Sequence, residues 1–232
     1  MFVVNDPPPQ IAAARLERLL KAEPATIGHF RQVGFMDPAI RALWSDRRIA
    51  GTAVTVRFDG DDTAIVHYAL GKLRPGDILV IDRVGDTRHA CCGGGVAFAA
   101  HAAGCLGIII DGVATDIQEL RAYDMPVWAH GLSPITCKRR FIGGEFCVPI
   151  SCGGVPVTPG DVVFADENGV LVMPPSDIEA AAERAIGMQD AEKVALARVA
   201  KGERFSDING TNARIAEILA AQAKAAREAG KP

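Results

Sequence analysis

Chemistry-bearing residues gather in two stretches near the middle of the chain. The first, Asp86-Thr87-Arg88-His89-Ala90-Cys91-Cys92-Gly93-Gly94-Gly95, ends in three consecutive glycines. Glycines that open a helix let main-chain N–H groups converge on an anion, aided by the helix dipole. The run is not G-x-G-x-x-G and lacks the lysine of a phosphate loop, so a small carboxylate fits it better than a dinucleotide or nucleoside triphosphate. Glycines needed only for a tight strand-to-helix turn would look the same. The second stretch, Asp111-Gly112-Val113-Ala114-Thr115-Asp116, leads into a helix. Asp116 there is either an N-cap or a ligand to a hard divalent cation, since Mg²⁺ uses one or two carboxylates and keeps its waters. Among the histidines, His89 beside Arg88 is the candidate for chemistry; His29, His67, His101 and His130 read as structural.

These stretches must be positioned by the elements around them. Ile11 to Lys21 has the apolar spacing of an amphipathic helix, and Asp37 to Leu43 reads as a second, short one. Gly51 to Phe58 alternates as a strand, Asp62 to Leu73 is a helix stopped by Pro75-Gly76, and Ile78 to Ile81 is a strand buried on both faces. A helix over Gly95 to Ala103 ends at Gly104 as a left-handed cap. Leu106 to Ile110 is a strand, and Asp116 to Tyr123 a helix whose Asp116 and Glu119 have capping-box spacing. Pro126 to Ala129 is a further strand. This strand–helix alternation favours a parallel sheet, in which ligands gather beyond the carboxyl ends of the strands. Both stretches lie there. Short strands follow from Val148 to Met173, then helices from Ser176 to about Ala200 and Asp207 to Glu228, with Ser176 and Asp207 as N-caps. The string Pro75-Gly76-Asp77 to Asp82 is echoed by Pro159-Gly160-Asp161 to Asp166, each a turn feeding a buried strand. We expect one domain: N-terminal helices over about 10–45, a core over about 51–175 and C-terminal helices over about 176–229.

Composition narrows the function classes. The 232 residues carry 25 Lys+Arg against 28 Asp+Glu, and only 6% are aromatic. No basic tract or stacking platform is present, which argues against nucleic acid as a partner. The six cysteines form no CxxC pair and read as small buried hydrophobes of a reducing compartment. No signal peptide and no run approaching a membrane span is read, so the expectation is a cytoplasmic protein without a membrane partner.

The blocks Gly93 to Asp116, Pro126 to Gly131, Val148-Pro149-Ile150-Ser151-Cys152-Gly153-Gly154-Val155, and Pro159 to Val172 together resemble the RraA-like family. The resemblance runs from about Gly51 to Gly202. It implies an α/β fold, a single-domain α-β-β-α sandwich of swivelling-domain type, assembling as a trimer or hexamer with sites between subunits. It also implies a lyase, because the family includes class II pyruvate aldolases acting on 4-hydroxy-4-methyl-2-oxoglutarate and 4-carboxy-4-hydroxy-2-oxoadipate. By that resemblance Asp116, with Glu119 of the surviving Asp-x-x-Glu pattern, holds Mg²⁺ or Mn²⁺. The amides of Gly93, Gly94, Gly95 and Val96 hold the pyruvyl carboxylate of a 2-oxo acid, and a Glu from a neighbour's C-terminal helix, matching Glu192, joins the site.

Two positions depart from the aldolase pattern. Thr115 stands where the aldolases have Arg, and Gly94 where they have an acidic residue. A hydroxyl donates one neutral hydrogen bond where a guanidinium gives charge-assisted ones, and losing such a stabiliser costs about 10²–10³ in rate. Arg88 or His89 is the candidate to restore the charge. The expected activity is aldol cleavage or decarboxylation of a 2-oxo acid through a pyruvate enolate, with water held by Glu192 or Glu119 as base. The alternatives are a non-catalytic regulator like the ribonuclease E regulator that names the family, or a hydratase or isomerase on the same platform.

Overall fold

The computed structural model describes residues 1–44 and 46–230, so residue 45 of the expected N-terminal helical stretch lies outside the description. In chain order the elements are β1 (Phe2–Val4), α1 (Ala13–Leu19), α2 (Pro24–Gly28), β2 (Arg41–Ala42), β3 (Ile49–Arg57), α3 (Ala64–Leu70), β4 (Asp77–Asp82), α4 (Gly94–Ala102), β5 (Gly107–Asp111) and β6 (Val113–Ala114). They continue as α5 (Ile117–Ala122), β7 (Val127–Ala129), β8 (Gly131–Leu132), β9 (Gly144–Phe146), β10 (Ile150–Cys152), β11 (Val155–Val157), β12 (Val162–Asp166), β13 (Gly169–Met173), α6 (Ile178–Val199), α7 (Phe205–Ile208) and α8 (Thr211–Ala229). The chain divides into a unit ending at Ala185 and a second beginning at Ile186.

The first unit is a mixed α/β structure on one sheet, ordered β1-β9-β3-β4-β5-β7-β2, with β12 also on β3 and β13 on β12. β3, β4, β5 and β7 are parallel, as the strand–helix alternation predicts. Their alternating side chains feed two cores. Val54, Val56, Leu79, Ile81, Ile108 and Ile110 pack under helices that supply Val96, Ala97, Ala100 and Leu120. Ala53, Ile78, Val80, Ile109 and Trp128 pack on the other face against Cys152, Val157 and Val163. Burial on both faces is why these strands read as continuous apolar runs. Gly153 and Gly154, both at positive φ, close the β10–β11 hairpin in a two-residue turn. Gly104 takes φ +77° just beyond α4 and lies against Pro75, as a left-handed cap should.

Three local expectations are corrected. Asp37 to Leu43 is not a helix: Pro38 lies in a turn in which Asp37 Oδ1 accepts from the Ala39 N–H, and Arg41–Ala42 then joins β7 as a strand. Asp207 does not cap a long helix, because Gly210 at φ +77° breaks the segment into α7 and α8. Ser176 falls within a 3₁₀ turn, Pro175–Asp177, ahead of α6. In the second unit every residue of α8 is exposed, and Glu192 is an exposed residue of α6. No described helix is long and apolar enough to cross a membrane.

Candidate active site

The site forms where the N-terminus of α4 meets the turn into α5. Gly93 is the extended residue before α4, and Thr115 reaches it by donating its main-chain N–H to the Cys92 carbonyl at 2.8 Å. Asp116 follows in the left-handed region, φ +54° and ψ +44°, a conformation that costs most side chains energy and suits Asp and Asn best. Asp116 stands at the N-cap position, yet its side chain makes no capping bond to α5. The carboxylate turns instead to the neighbouring helix, where Oδ2 accepts from the Gly94 N–H at 3.1 Å. Oδ1 accepts from the Thr115 hydroxyl at 3.2 Å. The capping-box expectation is thereby corrected: the left-handed backbone aims the carboxylate away from its own helix.

The glycines are required by what lies over them. A Cβ at Gly93 would sit 2.4 Å from Asp116 Oδ2, and one at Gly94 would fall 1.3 Å from Glu119 Oε2. Two carboxylates thus converge on the Gly93–Gly94 turn. The Glu119 carboxylate fills the space where a side chain at position 94 would begin. Both Asp116 and Glu119 are exposed and retain acceptor capacity. Because Asp116 takes the Gly94 amide, the donors left for a ligand are the N–H groups of Gly95 and Val96, which as early residues of α4 have no intrahelical acceptor. An open cleft of about 500 Å³ lies beside the two carboxylates, walled by Thr115, Asp116, Ile117, Gln118, Glu119, Leu132, Ser133 and Pro134; none of Gly93 to Val96 is among its wall residues.

Two oxygen donors at a solvent-facing turn suit a hard dication that keeps most of its waters. No described cluster gathers three or more Asp, Glu, His or Cys for an all-protein cage. The donor set therefore fits Mg²⁺ or Mn²⁺ rather than a structural zinc.

Arg88 and His89 do not wall this cleft. Asp86 Oδ1 accepts from both of their main-chain N–H groups, at 2.8 and 3.0 Å, and Asp86 Oδ2 lies 2.8 Å from His89 Nδ1. Arg83, fully buried and 4.0 Å from the centre of the Phe58 ring, donates to the same Oδ2 at 2.9 Å. Burial alone would raise the Asp86 pKa; the two amides, the His89 ring and Arg83 outweigh it and hold the carboxyl below its usual range. The link to the cleft is indirect, through the Ser133 hydroxyl donating to the Arg88 carbonyl at 2.7 Å. His130 pairs through Nε2 with Asp111 Oδ1 at 2.8 Å, while Gly153 N–H donates to Asp111 Oδ2 at 2.8 Å. Burial pushes Cys91 up to about 12 and Cys105 and Cys147 to about 11, so none is a thiolate at neutral pH. Sequence reasoning missed the opposite wall, Leu132 to Pro134; its signal was its place just beyond the carboxyl end of β7.

A mixed α/β unit with two carboxylates at a helix N-terminus beyond its parallel strands defines the class of protein. The family model described as RraA-like, Aldolase/RraA, matches residues 22–172. The chain belongs to the RraA-like family. It is 36% identical over 146 residues, 63% of this chain and 69% of the relative, to a Halalkalibacterium halodurans protein provisionally named a 4-hydroxy-4-methyl-2-oxoglutarate aldolase. A Hahella chejuensis protein with the same provisional name is 34% identical over 142 residues, 61% of this chain and 85% of the relative. Among solved structures, an unusual member of the RNase ES inhibitor RraA protein family from Streptomyces coelicolor superposes with TM-score 0.73 at 25% identity, covering 82% of this chain and 98% of that one. The matched family segment contains Gly93 to Val96, Thr115, Asp116 and Glu119 and stops short of Glu192.

Proposed function

We propose that this protein is a divalent-metal-dependent carbon–carbon lyase, an aldolase or decarboxylase, acting on a 2-oxo acid. The observation that carries it is the convergence of Asp116 and Glu119 on a glycine turn that has no room for a Cβ. Asp116 and Glu119 would hold Mg²⁺ or Mn²⁺, which when bound supplies Lewis-acid polarisation of the keto group. The Gly95 and Val96 amides bind the substrate carboxylate at the positive end of α4. Thr115 keeps Asp116 in its left-handed pose through the Oγ1 hydrogen bond, a positioning role in place of the charge the aldolase Arg brings. Glu119, exposed at the cleft, is the candidate to hold the water that takes the hydroxyl proton. A homo-oligomer, trimer or hexamer, in which Glu192 of a neighbouring copy completes the site, belongs to the same reading.

The test is pyruvate release from oxaloacetate and from 4-hydroxy-2-oxo acids, with Mg²⁺ or Mn²⁺ and after chelation. Metal-dependent release supports the reading, and no release from any of them overturns it. One observation favours a second reading, a non-catalytic regulator: Thr115 in place of the Arg. That reading predicts no rise in melting temperature with Mn²⁺ and pyruvate, whereas a lyase site binding only the folded state raises it.

A further inference from the structure

We infer that Asp111 and His130 are positioning residues of this cleft, whose pairing holds one wall against the other; the effect on substrate rests on the lyase reading above. β5 and β7 are neighbours in the sheet and leave it together, Asp111 as the last residue of β5 and His130 directly after β7. The two segments then run on as a separate parallel ribbon, β6 with β8, in which Val113 stands opposite Gly131 and Ala114 opposite Leu132. Beyond β6 come Thr115 to Glu119, one wall of the cleft. The end of β8 opens the other wall, Leu132 to Pro134. The ribbon therefore sets the spacing of the walls.

A ribbon two residues long is marginal on its own. Main-chain bonds close it at each end, from the His130 N–H to the Gly112 carbonyl at 2.8 Å and from the Ser133 N–H to the Ala114 carbonyl at 2.9 Å. At its base His130 Nε2 lies 2.8 Å from Asp111 Oδ1, and the ring donates because a carboxylate accepts. The carboxylate is itself fixed. Its Oδ2 accepts from the Gly153 N–H at 2.8 Å, in the turn after Cys152, which is buried in the second core. The Asp37 N–H donates to the Gly153 carbonyl at 2.9 Å and holds that turn in place. Asp111 cannot follow His130 if the ribbon splays, so the pair opposes that motion. All of these bonds lie within one chain and act whether or not a neighbouring copy closes the cleft. Neither Asp111 nor His130 is a wall residue, so they work through β6 and β8 and do not touch the substrate. Asp116, on the β6 side, has its own ties to Gly94 and Thr115. Loosening the clamp should therefore displace the opposite wall more than the metal ligands.

The experiment compares His130→Ala and His130→Gln with the native full chain. Gln carries its amide nitrogen at about the reach of the imidazole Nε2 and restores the bond to Asp111. The readouts are hydrogen exchange at the Ser133 amide and calorimetric titration, first with Mn²⁺ and then, on the Mn²⁺-loaded protein, with pyruvate. For His130→Ala the Ser133 amide is expected to exchange about tenfold faster or more. Mn²⁺ affinity should stay within about threefold of native, while pyruvate affinity falls about tenfold, inside the about 10²-fold that a misplacement of about 1 Å can cost. His130→Gln should lie within about threefold of native in every readout. Native exchange at Ser133 in His130→Ala overturns the inference, as does a Gln variant as impaired as the Ala one. Unchanged pyruvate binding, or an equal loss of Mn²⁺ and pyruvate affinity, makes the pair a structural tie and overturns it too. If the native protein binds no pyruvate, the lyase reading falls, and exchange at Ser133 decides the clamp by itself.

Discussion

Asp62 and Asp116 are both carboxylates beside a helix start, and they are built for opposite ends. Asp62 is buried; its Oδ1 accepts from the N–H groups of Ala64 and Arg140 at 3.0 and 2.8 Å, and its Oδ2 from that of Ile142 at 2.6 Å. Burial would raise its pKa, but these amides outweigh it and bring the value down to about 2. Asp116 is exposed and has one amide and one neighbouring hydroxyl. A carboxylate saturated by fixed donors ties segments together and has nothing left for a ligand. One held by a single donor on each oxygen, in a strained backbone pose, is oriented but still able to coordinate. The difference lies in donor count and exposure, since the residue type is the same.

The largest expected effect follows from that contrast. Asp116→Asn should lower Mn²⁺ affinity and lyase activity by at least about 100-fold, because a direct ligand counts for more than the outer partners that cost 10–100-fold. Its melting temperature should hold or rise slightly, since Asn accepts the left-handed region well and can still accept from the Gly94 N–H. Calorimetry with Mn²⁺ beside a thermal melt separates the two. A destabilised Asp116→Asn protein would make Asp116 a structural tie like Asp62.

Asp62→Asn should do the reverse and cost about 2–4 kcal/mol of stability, because an amide cannot accept on both sides and leaves a donor facing a donor. Urea denaturation checks it. The pH dependence has a definite sign: the folded pKa lies at about 2, below the ordinary 3.8, so Asp62 stabilises the fold above about pH 4. That contribution, about 2 kcal/mol from the shift, is lost as the pH falls toward 2, and the Asn variant should lack this part of the acid dependence.

Gly94→Ala should act on the site first and on the fold second. The new Cβ would lie 1.3 Å from Glu119 Oε2 and 3.0 Å from Glu119 Cβ, so the carboxylate must swing away and the two segments must ease apart, at a cost of about 1–2 kcal/mol. Metal affinity should fall about tenfold, as for loss of a supporting ligand. Unchanged Mn²⁺ affinity would remove Glu119 from the site.

The sheet was readable from the chain because strands buried on both faces must be continuous apolar runs, and Ile78 to Ile81 and Leu106 to Ile110 are such runs. Helix α4 was readable because an alanine-rich stretch lay between glycines. Where patterning failed, one backbone residue decided the outcome: the Pro38 turn replaced a helix, and Gly210 split another. At the site, residue types and spacing narrowed Asp116 to two roles and could not choose between them. Periodicity reports which face is buried; it does not report where a side chain points from a left-handed residue. The fit of Glu119 over Gly94 joins residues 25 positions apart and leaves no local trace. Asp62 went unnoticed for the same reason, since two of its donors come from Arg140 and Ile142.

The smallest effects are expected at Arg88 and His89, the residues that share Asp86. Their main chain is fixed by that carboxylate, and the cleft meets them only through Ser133 and a carbonyl oxygen. Arg88→Ala preserves that carbonyl, and His89→Ala leaves Arg83 still paired with Asp86. Pyruvate release by either variant should therefore stay within about fivefold of the native rate, far from the 10²–10³ that a lost oxyanion donor costs. Steady-state kinetics of both variants decides the matter. A fall of 100-fold in kcat for Arg88→Ala, with KM unchanged, would show the guanidinium entering the cleft during the reaction and restoring the charge that Thr115 lacks.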